Sequence, residues 1–202
     1  MSQHPLDVLH EEHRQLRGLL AILERQLFST HDGGSPDFEV MAELLDYLAD
    51  EPEHLHHRFE ARLLEALAQR RPELTGLSAE LGRARGRIAT GGRKLQRLVS
   101  EVIDGLLVPR QRLARLGLRY VRSYQALMAR EEAEAFPALE RDLRPADWIE
   151  LITACHWRCG LSSPPLDEPG YDALRRRIEH EAGGFWPAGT ATDLRCPVCD
   201  DT

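Results

Sequence analysis

The 202-residue sequence has no long apolar run, few aromatic residues and few cysteines. A transmembrane helix needs about 20 consecutive apolar residues, and no stretch of the sequence approaches that length. Aromatic residues make up only 6% of the chain, whereas Leu, Ala, Glu and Arg are abundant, and this composition favours helices. Four cysteines are present, and they favour metal ligands or free thiols over a disulfide framework.

The N-terminus, MSQHPLDVLHEEH, lacks the basic segment followed by an apolar segment that marks a secretory signal peptide. We therefore expect a cytoplasmic protein that does not enter a membrane. The formal net charge of −7 argues against nucleic acid as a partner. Hydrophobic residues make up 42% of the chain, which is enough for a folded core and excludes wholesale disorder.

Apolar residues recur at alternating steps of three and four in four long segments, a pattern typical of bundle helices. The predicted helices cover residues 5–28, 38–70, 75–107 and 110–143. Pro52 and Pro137 predict kinks in the second and fourth helices. Because the connections are short, we predict an all-α fold with an up-down antiparallel four-helix bundle over residues 1–144. Residues 145–202 are predicted to form a C-terminal extension with shorter helices.

Four polar side chains fall on these apolar stripes. His13 lies on the first stripe, His56 and Glu60 are one turn apart on the second, and Glu131 lies on the fourth. Burying a carboxylate without a partner is costly, so two carboxylates at one level of a bundle need a counter-charge. A single core histidine is more often a hydrogen-bonded structural residue. Imidazoles and carboxylates on facing helices, however, are how bundle proteins build metal sites.

Three stretches of the chain resemble the hemerythrin-like proteins, often called HHE cation-binding domains. These stretches are LDVLHEEHRQLRGLLAILE, HLHHRFEARLLEAL and YVRSYQALMAREEAEAFPALERDL. The third is the most specific. The family pattern there has a tyrosine, a histidine seven residues later, a Glu-Glu pair and a Phe-Pro, and the chain has Tyr120, Glu131-Glu132 and Phe136-Pro137 in that layout. The resemblance covers roughly residues 5–150 and implies a bundle around a pair of non-haem iron ions.

The resemblance implies one set of metal ligands, namely His13, His56, Glu60 and Glu131. Two family ligands have no counterpart in the chain. Leu127 occupies the position of the histidine on the fourth helix. The histidine of the third helix should lie near Ile88, but no histidine occurs between His57 and His156. In the family the histidines of helices 1 and 2 bind one iron, those of helices 3 and 4 bind the other, and both carboxylates bridge the pair. The chain therefore retains one half of the site.

Two histidines and two carboxylates suit a single non-haem iron ion, and they also suit manganese or zinc. The sequence thus predicts a degenerate, mononuclear site. A sensing or regulatory role, or the binding of a small diatomic ligand such as O2 or NO, is favoured over two-iron oxygen storage. A non-haem iron enzyme is a further alternative, but no substrate pocket can be read from the sequence, so a non-enzymatic role is favoured.

The competing interpretation is a metal-free bundle that acts as an interaction or structural protein. In it, an arginine pairs with Glu60 or Glu131 and replaces the charge of the ion. The candidate arginines are Arg83, Arg85, Arg87 and Arg130. A rearranged metal site would instead use His10, His57 or Glu132.

The cysteines form two pairs in the extension. Cys155 and Cys159 are four residues apart on a predicted helix, which places both sulfurs on one face. Cys196 and Cys199 form a Cys-Pro-Val-Cys turn. Four thiolates make a closed tetrahedral zinc site, so the spacing predicts a structural zinc clasp, with free thiols or a redox disulfide as alternatives. Metal ions are thus the main predicted partners, and a protein partner or a homodimer stays open.

Overall fold

The computed structural model describes residues 4–155 and positions 176, 177 and 180, and this part of the chain is helical with no strand. Its helices are α1 (Pro5–His31), α2 (Phe38–Arg70), α3 (Thr75–Ile103), α4 (Arg110–Arg130), α5 (Phe136–Asp142) and α6 (Pro145–Cys155). A 3-10 turn (Pro72–Leu74) precedes α3, and a π-helical turn (Glu131–Ala135) joins α4 to α5. Among the described helices, none combines the length and the apolarity that a membrane crossing requires.

The four long helices form a closed ring. Helix α1 packs against α2 and α4, and α3 packs against the same two neighbours. Because short connections reverse the chain between consecutive helices, the order is up-down-up-down, and the predicted four-helix bundle is confirmed. The core is built from the predicted apolar stripes and contains, among others, Leu9, Leu20, Leu27, Leu44, Phe59, Leu63, Leu81, Leu95, Val121 and Tyr124.

Glycines let two helix pairs approach closely. A β-carbon added at Gly117 of α4 would overlap the buried side chain of Leu27 on α1. A β-carbon at Gly92 of α3 would lie 3.3 Å from Cε2 of Tyr120 on α4. The contacts of α4 with both neighbours therefore depend on the absence of a side chain at these positions.

Two helix ends differ from the sequence prediction. Helix α1 continues past residue 28 to His31, where the N–H of Asp32 donates to the carbonyl of Phe28 and closes the last turn. Helix α3 ends at Ile103, earlier than predicted, because Gly105 adopts a φ of 80°. A residue in this left-handed conformation ends a helix, and glycine adopts it at no steric cost.

The fourth predicted helix is divided in two near Pro137. Proline lacks the N–H that an α-helix needs, and its ring clashes with the carbonyl of the preceding turn. The structure accommodates it by widening the preceding turn, so that the N–H of Phe136 donates to the carbonyl of Glu131 in an i to i+5 pattern. The predicted kink is therefore a π-helical turn, and it contains the Glu131-Glu132 pair.

The extension begins with α6, which packs against α2. Asp147 accepts a hydrogen bond from the guanidinium of Arg70 at 2.6 Å, and Trp148 is buried. Helix α6 is described as far as Cys155, whose side chain lies outside the described part, as do Cys159, Cys196 and Cys199. The zinc clasp and the domain boundary at residues 144/145 stay predictions.

Substitution of Gly117 by alanine should destabilise the bundle. The added β-carbon must displace Leu27 in a filled core, and such overpacking typically costs about 1–3 kcal/mol. Gly82→Ala is the matched control, since Gly82 also lies inside a helix but a β-carbon added there would meet no atom within 4 Å. It should leave the free energy of unfolding unchanged or raise it by up to about 1 kcal/mol. Urea denaturation measures both, and equal stabilities of the two variants would contradict the close α1–α4 contact.

Candidate metal centre

Three buried side chains from separate parts of the chain meet in the bundle core. His13 belongs to α1, Glu60 to α2 and Glu131 to the π-helical turn, and they are 0%, 2% and 1% exposed. One potential ligand atom from each lies within 4.8 Å of the other two. Each of the three lies at a position of its helix where the pattern otherwise has an apolar residue. The packing of the bundle core therefore brings them together.

The distances among these atoms suit one ion. His13 Nε2 lies 3.3 Å from Oε1 of Glu60 and 3.7 Å from Oε2 of Glu131. Imidazole nitrogens and carboxylate oxygens bind transition metals at about 2.1 Å, so neighbouring ligands of one ion lie about 3–3.5 Å apart. A nitrogen with two carboxylate oxygens is a donor set for iron, manganese or zinc.

The other ring nitrogen of His13, Nδ1, faces a charged pair that Glu132 forms with Arg17. Nδ1 lies 2.9 Å from Oε1 of Glu132, and Arg17 donates to Oε2 of the same carboxylate at 2.7 Å. The His13 ring also stacks on Phe136, with 5.4 Å between the ring centroids. In the tautomer whose Nδ1–H donates a hydrogen bond to Glu132, Nε2 directs a lone pair towards Glu60 and Glu131, which is the orientation that a metal ligand needs.

Glu132 is partly buried, and its environment favours the charged form. Burial raises the pKa of this carboxyl, but hydrogen bonds from Arg17 and His13 lower it, and the net pKa is below the ordinary glutamate value. Glu132 is therefore an ionised acceptor at neutral pH.

The guanidinium of Arg85 lies on the side of the Glu60 and Glu131 carboxylates that faces away from His13. Arg85 of α3 is 8% exposed, and its Nη2 donates to Oε2 of Glu60 at 3.2 Å and to Oε1 of Glu131 at 2.5 Å. Each carboxylate thus directs one oxygen to Arg85 and the other to His13. The two carboxylates bridge a guanidinium and an imidazole.

The surroundings of Arg85 are apolar. Ile88 follows Arg85 by one turn of α3, Leu127 precedes Glu131 by one turn of α4, and both are buried. The pocket around Arg85, Glu60 and Glu131 is lined by Leu63, Leu64, Ala135, Phe136 and Leu139. Among the described side chains, this half of the centre offers no nitrogen donor, and it already contains a fixed positive charge, so a second metal ion does not fit these residues.

The structure brings together three of the four predicted bundle ligands, His13, Glu60 and Glu131. The fourth, His56, lies in α2 one turn before Glu60, but its side chain is outside the described part. His57 and His10, which were candidates for a rearranged site, lie outside the cluster of His13, Glu60 and Glu131. His57 is buried with its ring 5.7 Å from that of Tyr124, and the half-exposed His10 lies 3.7 Å from Glu132.

Among the candidate arginines, Arg85 is the one that reaches the carboxylates. Arg83 and Arg87 are exposed, and Arg130 pairs with Glu80 and Glu134 at the surface. The support that Glu132 and Arg17 give to His13 was not predicted from the sequence. The available signal was that Arg17 follows His13 by four residues and so lies on the same side of α1.

A family model described as the hemerythrin HHE cation-binding domain matches residues 4–139. The chain belongs to this family. Neither the curated proteins nor the solved structures give a match. Membership of the hemerythrin HHE family indicates cation binding, and the His13, Glu60 and Glu131 cluster lies inside the matched region.

Removal of Arg85 should destabilise the protein strongly. Arg85→Met takes the cation from two buried carboxylates, and loss of one partner of a buried ion pair costs about 3–5 kcal/mol. The control is Arg83→Met on the exposed face of the same helix, which should change the stability by less than about 0.5 kcal/mol. Urea denaturation compares them, and a cost for Arg85→Met no larger than that of the control would refute this role.

Glu132→Gln should have an effect that depends on pH. Because the folded-state pKa of Glu132 is lowered, its charge stabilises the fold above the ordinary glutamate pKa of about 4.3 and ceases to do so as the pH falls through the folded-state pKa. The stability difference between wild type and Glu132→Gln should therefore be largest near neutral pH and shrink in acid. Glu140→Gln, at an exposed position of α5, is the control and should show a small difference throughout. A difference for Glu132→Gln that is constant between about pH 7 and pH 3 would argue against the ionised pair.

Proposed function

We propose that the protein binds one divalent transition-metal ion between His13, Glu60 and Glu131, and uses it to sense or hold a small ligand. The observation that carries this proposal is the convergence of His13 Nε2 with one oxygen of each carboxylate in a buried part of the core. His56, one turn before Glu60 on α2, is proposed as a fourth ligand on the basis of the family resemblance.

The donor set suits Fe(II), and it also suits Mn(II) or Zn(II). Iron held by three or four protein ligands keeps coordination positions that O2 or NO can occupy. Glu132 and Arg17 hold the ring of His13 in the orientation that such an ion requires. The apolar side chains around the carboxylates limit the entry of water. Two-electron oxygen storage needs two irons, and the residues present supply donors for one. A sensing or small-ligand role is therefore the better supported function.

A metal-free interaction protein is the second candidate, and the pairing of Arg85 favours it. The guanidinium already compensates part of the charge of Glu60 and Glu131, so the core contains a counter-charge before any ion binds. Metal content separates the two candidates directly.

We expect the purified protein to contain about one iron or manganese ion per chain in the bundle, and His13→Ala to lose it. The control is His31→Ala, since His31 is an exposed histidine at the end of the same helix and should keep full metal content. Elemental analysis in a Cys196→Ser background excludes zinc held at the cysteine pairs from the count. The Fe(II)-loaded protein should then give a nitrosyl spectrum with NO that the His13→Ala protein lacks. Equal metal content in wild type, His13→Ala and His31→Ala would show that His13 does not hold the ion and would contradict the proposed site. No metal in folded wild type would favour the metal-free candidate.

A further inference from the structure

Arg85 differs from every other basic residue of α3. The helix carries Arg83, Arg87, Arg93, Lys94 and Arg97 on its exposed side, whereas Arg85 alone is buried. Burying a guanidinium is costly unless charged partners surround it. Its partners are the two carboxylates that also face His13, so Arg85 belongs to the same centre.

The contacts of Arg85 resemble those of a bridging ion. A single nitrogen, Nη2, lies between one oxygen of Glu60 and one oxygen of Glu131, and the remaining oxygens face His13. The guanidinium is permanently charged, because arginine does not deprotonate in proteins. It therefore provides one fixed positive charge on one side of the carboxylates.

We infer that Arg85 is a built-in substitute for a second cation and that it limits the centre to one metal ion. Two features act together. The guanidinium occupies the carboxylate oxygens on this side and repels any ion that approaches them, and Ile88 and Leu127 supply no ligand. The inference builds on the proposed one-ion function, but its test counts the added ion, so the two can fail separately.

The test compares two variants that differ only at Arg85. The double variant Ile88→His/Leu127→His adds two imidazoles beside Arg85, and the triple variant adds Arg85→Ala to them. Both are loaded with Mn(II), passed through gel filtration and analysed for manganese per chain, and circular dichroism verifies that each is helical. We expect the double variant to match wild type and the triple variant to bind about one additional ion per chain.

The outcomes separate the two hypotheses. An additional ion in the double variant would show that Arg85 does not exclude it and would overturn the inference, as would a folded triple variant with no additional ion. If wild type binds no manganese but the triple variant still exceeds the double variant by about one ion, the proposed function fails and the inference stands.

A second measurement applies if the triple variant does not fold. In the single variant Arg85→Met, the carboxylates lack their cation, so Mn(II) should take its place and restore helicity or raise the melting temperature by several degrees more than in wild type. Arg83→Met is the matched control and should respond to Mn(II) as wild type does. An Mn(II) response of Arg85→Met no larger than that of wild type would overturn the inference.

Discussion

The pairing of two buried carboxylates with a buried guanidinium is the constraint on which the centre depends. Glu60 and Glu131 lie in an apolar core, where two uncompensated negative charges would repel each other and lose their hydration. Arg85 compensates one side of the pair, and His13 faces the other. Because α1, α2, α3 and the π-helical turn each contribute one of these residues, the charges also fix how the helices meet.

The backbone features around the centre serve this arrangement. Pro137 prevents an ordinary α-helical turn, and the π-helical turn that results directs Glu131 into the core and leaves Glu132 at its edge. Two consecutive glutamates can then act on two sides of one imidazole. Glu131 faces Nε2 of His13, and Glu132 faces Nδ1.

The fold and much of the centre follow from patterns visible in the sequence. The alternating steps of three and four predict the helices, and the polar residues on those stripes predict His13, Glu60 and Glu131. Arg85 is one of four candidate arginines. Arg85 follows Leu81 by four residues and precedes Ile88 by three, so it lies on the apolar stripe of α3. This position predicts that Arg85 is buried. Pro137 predicts a kink but not that the kink takes the form of a π-helical turn. The spacing of His13 and Arg17 places both on one side of α1, but it does not predict which residue of the fourth helix faces them, so the contact of Arg17 with Glu132 was missed.

Because Arg85 gives the two carboxylates a permanent counter-charge, the fold need not depend on a bound metal ion. In proteins whose only counter-charge is the ion, removal of the metal leaves the ligands unpaired, and small domains of this kind unfold without it. Here the guanidinium already pairs with both carboxylates, and the apolar stripes of four long helices add to the stability. Under the proposed function, we expect such a bundle to gain and lose an ion without unfolding. That property suits a role in which metal or ligand occupancy is the signal, since the two states then differ at the centre rather than in the fold.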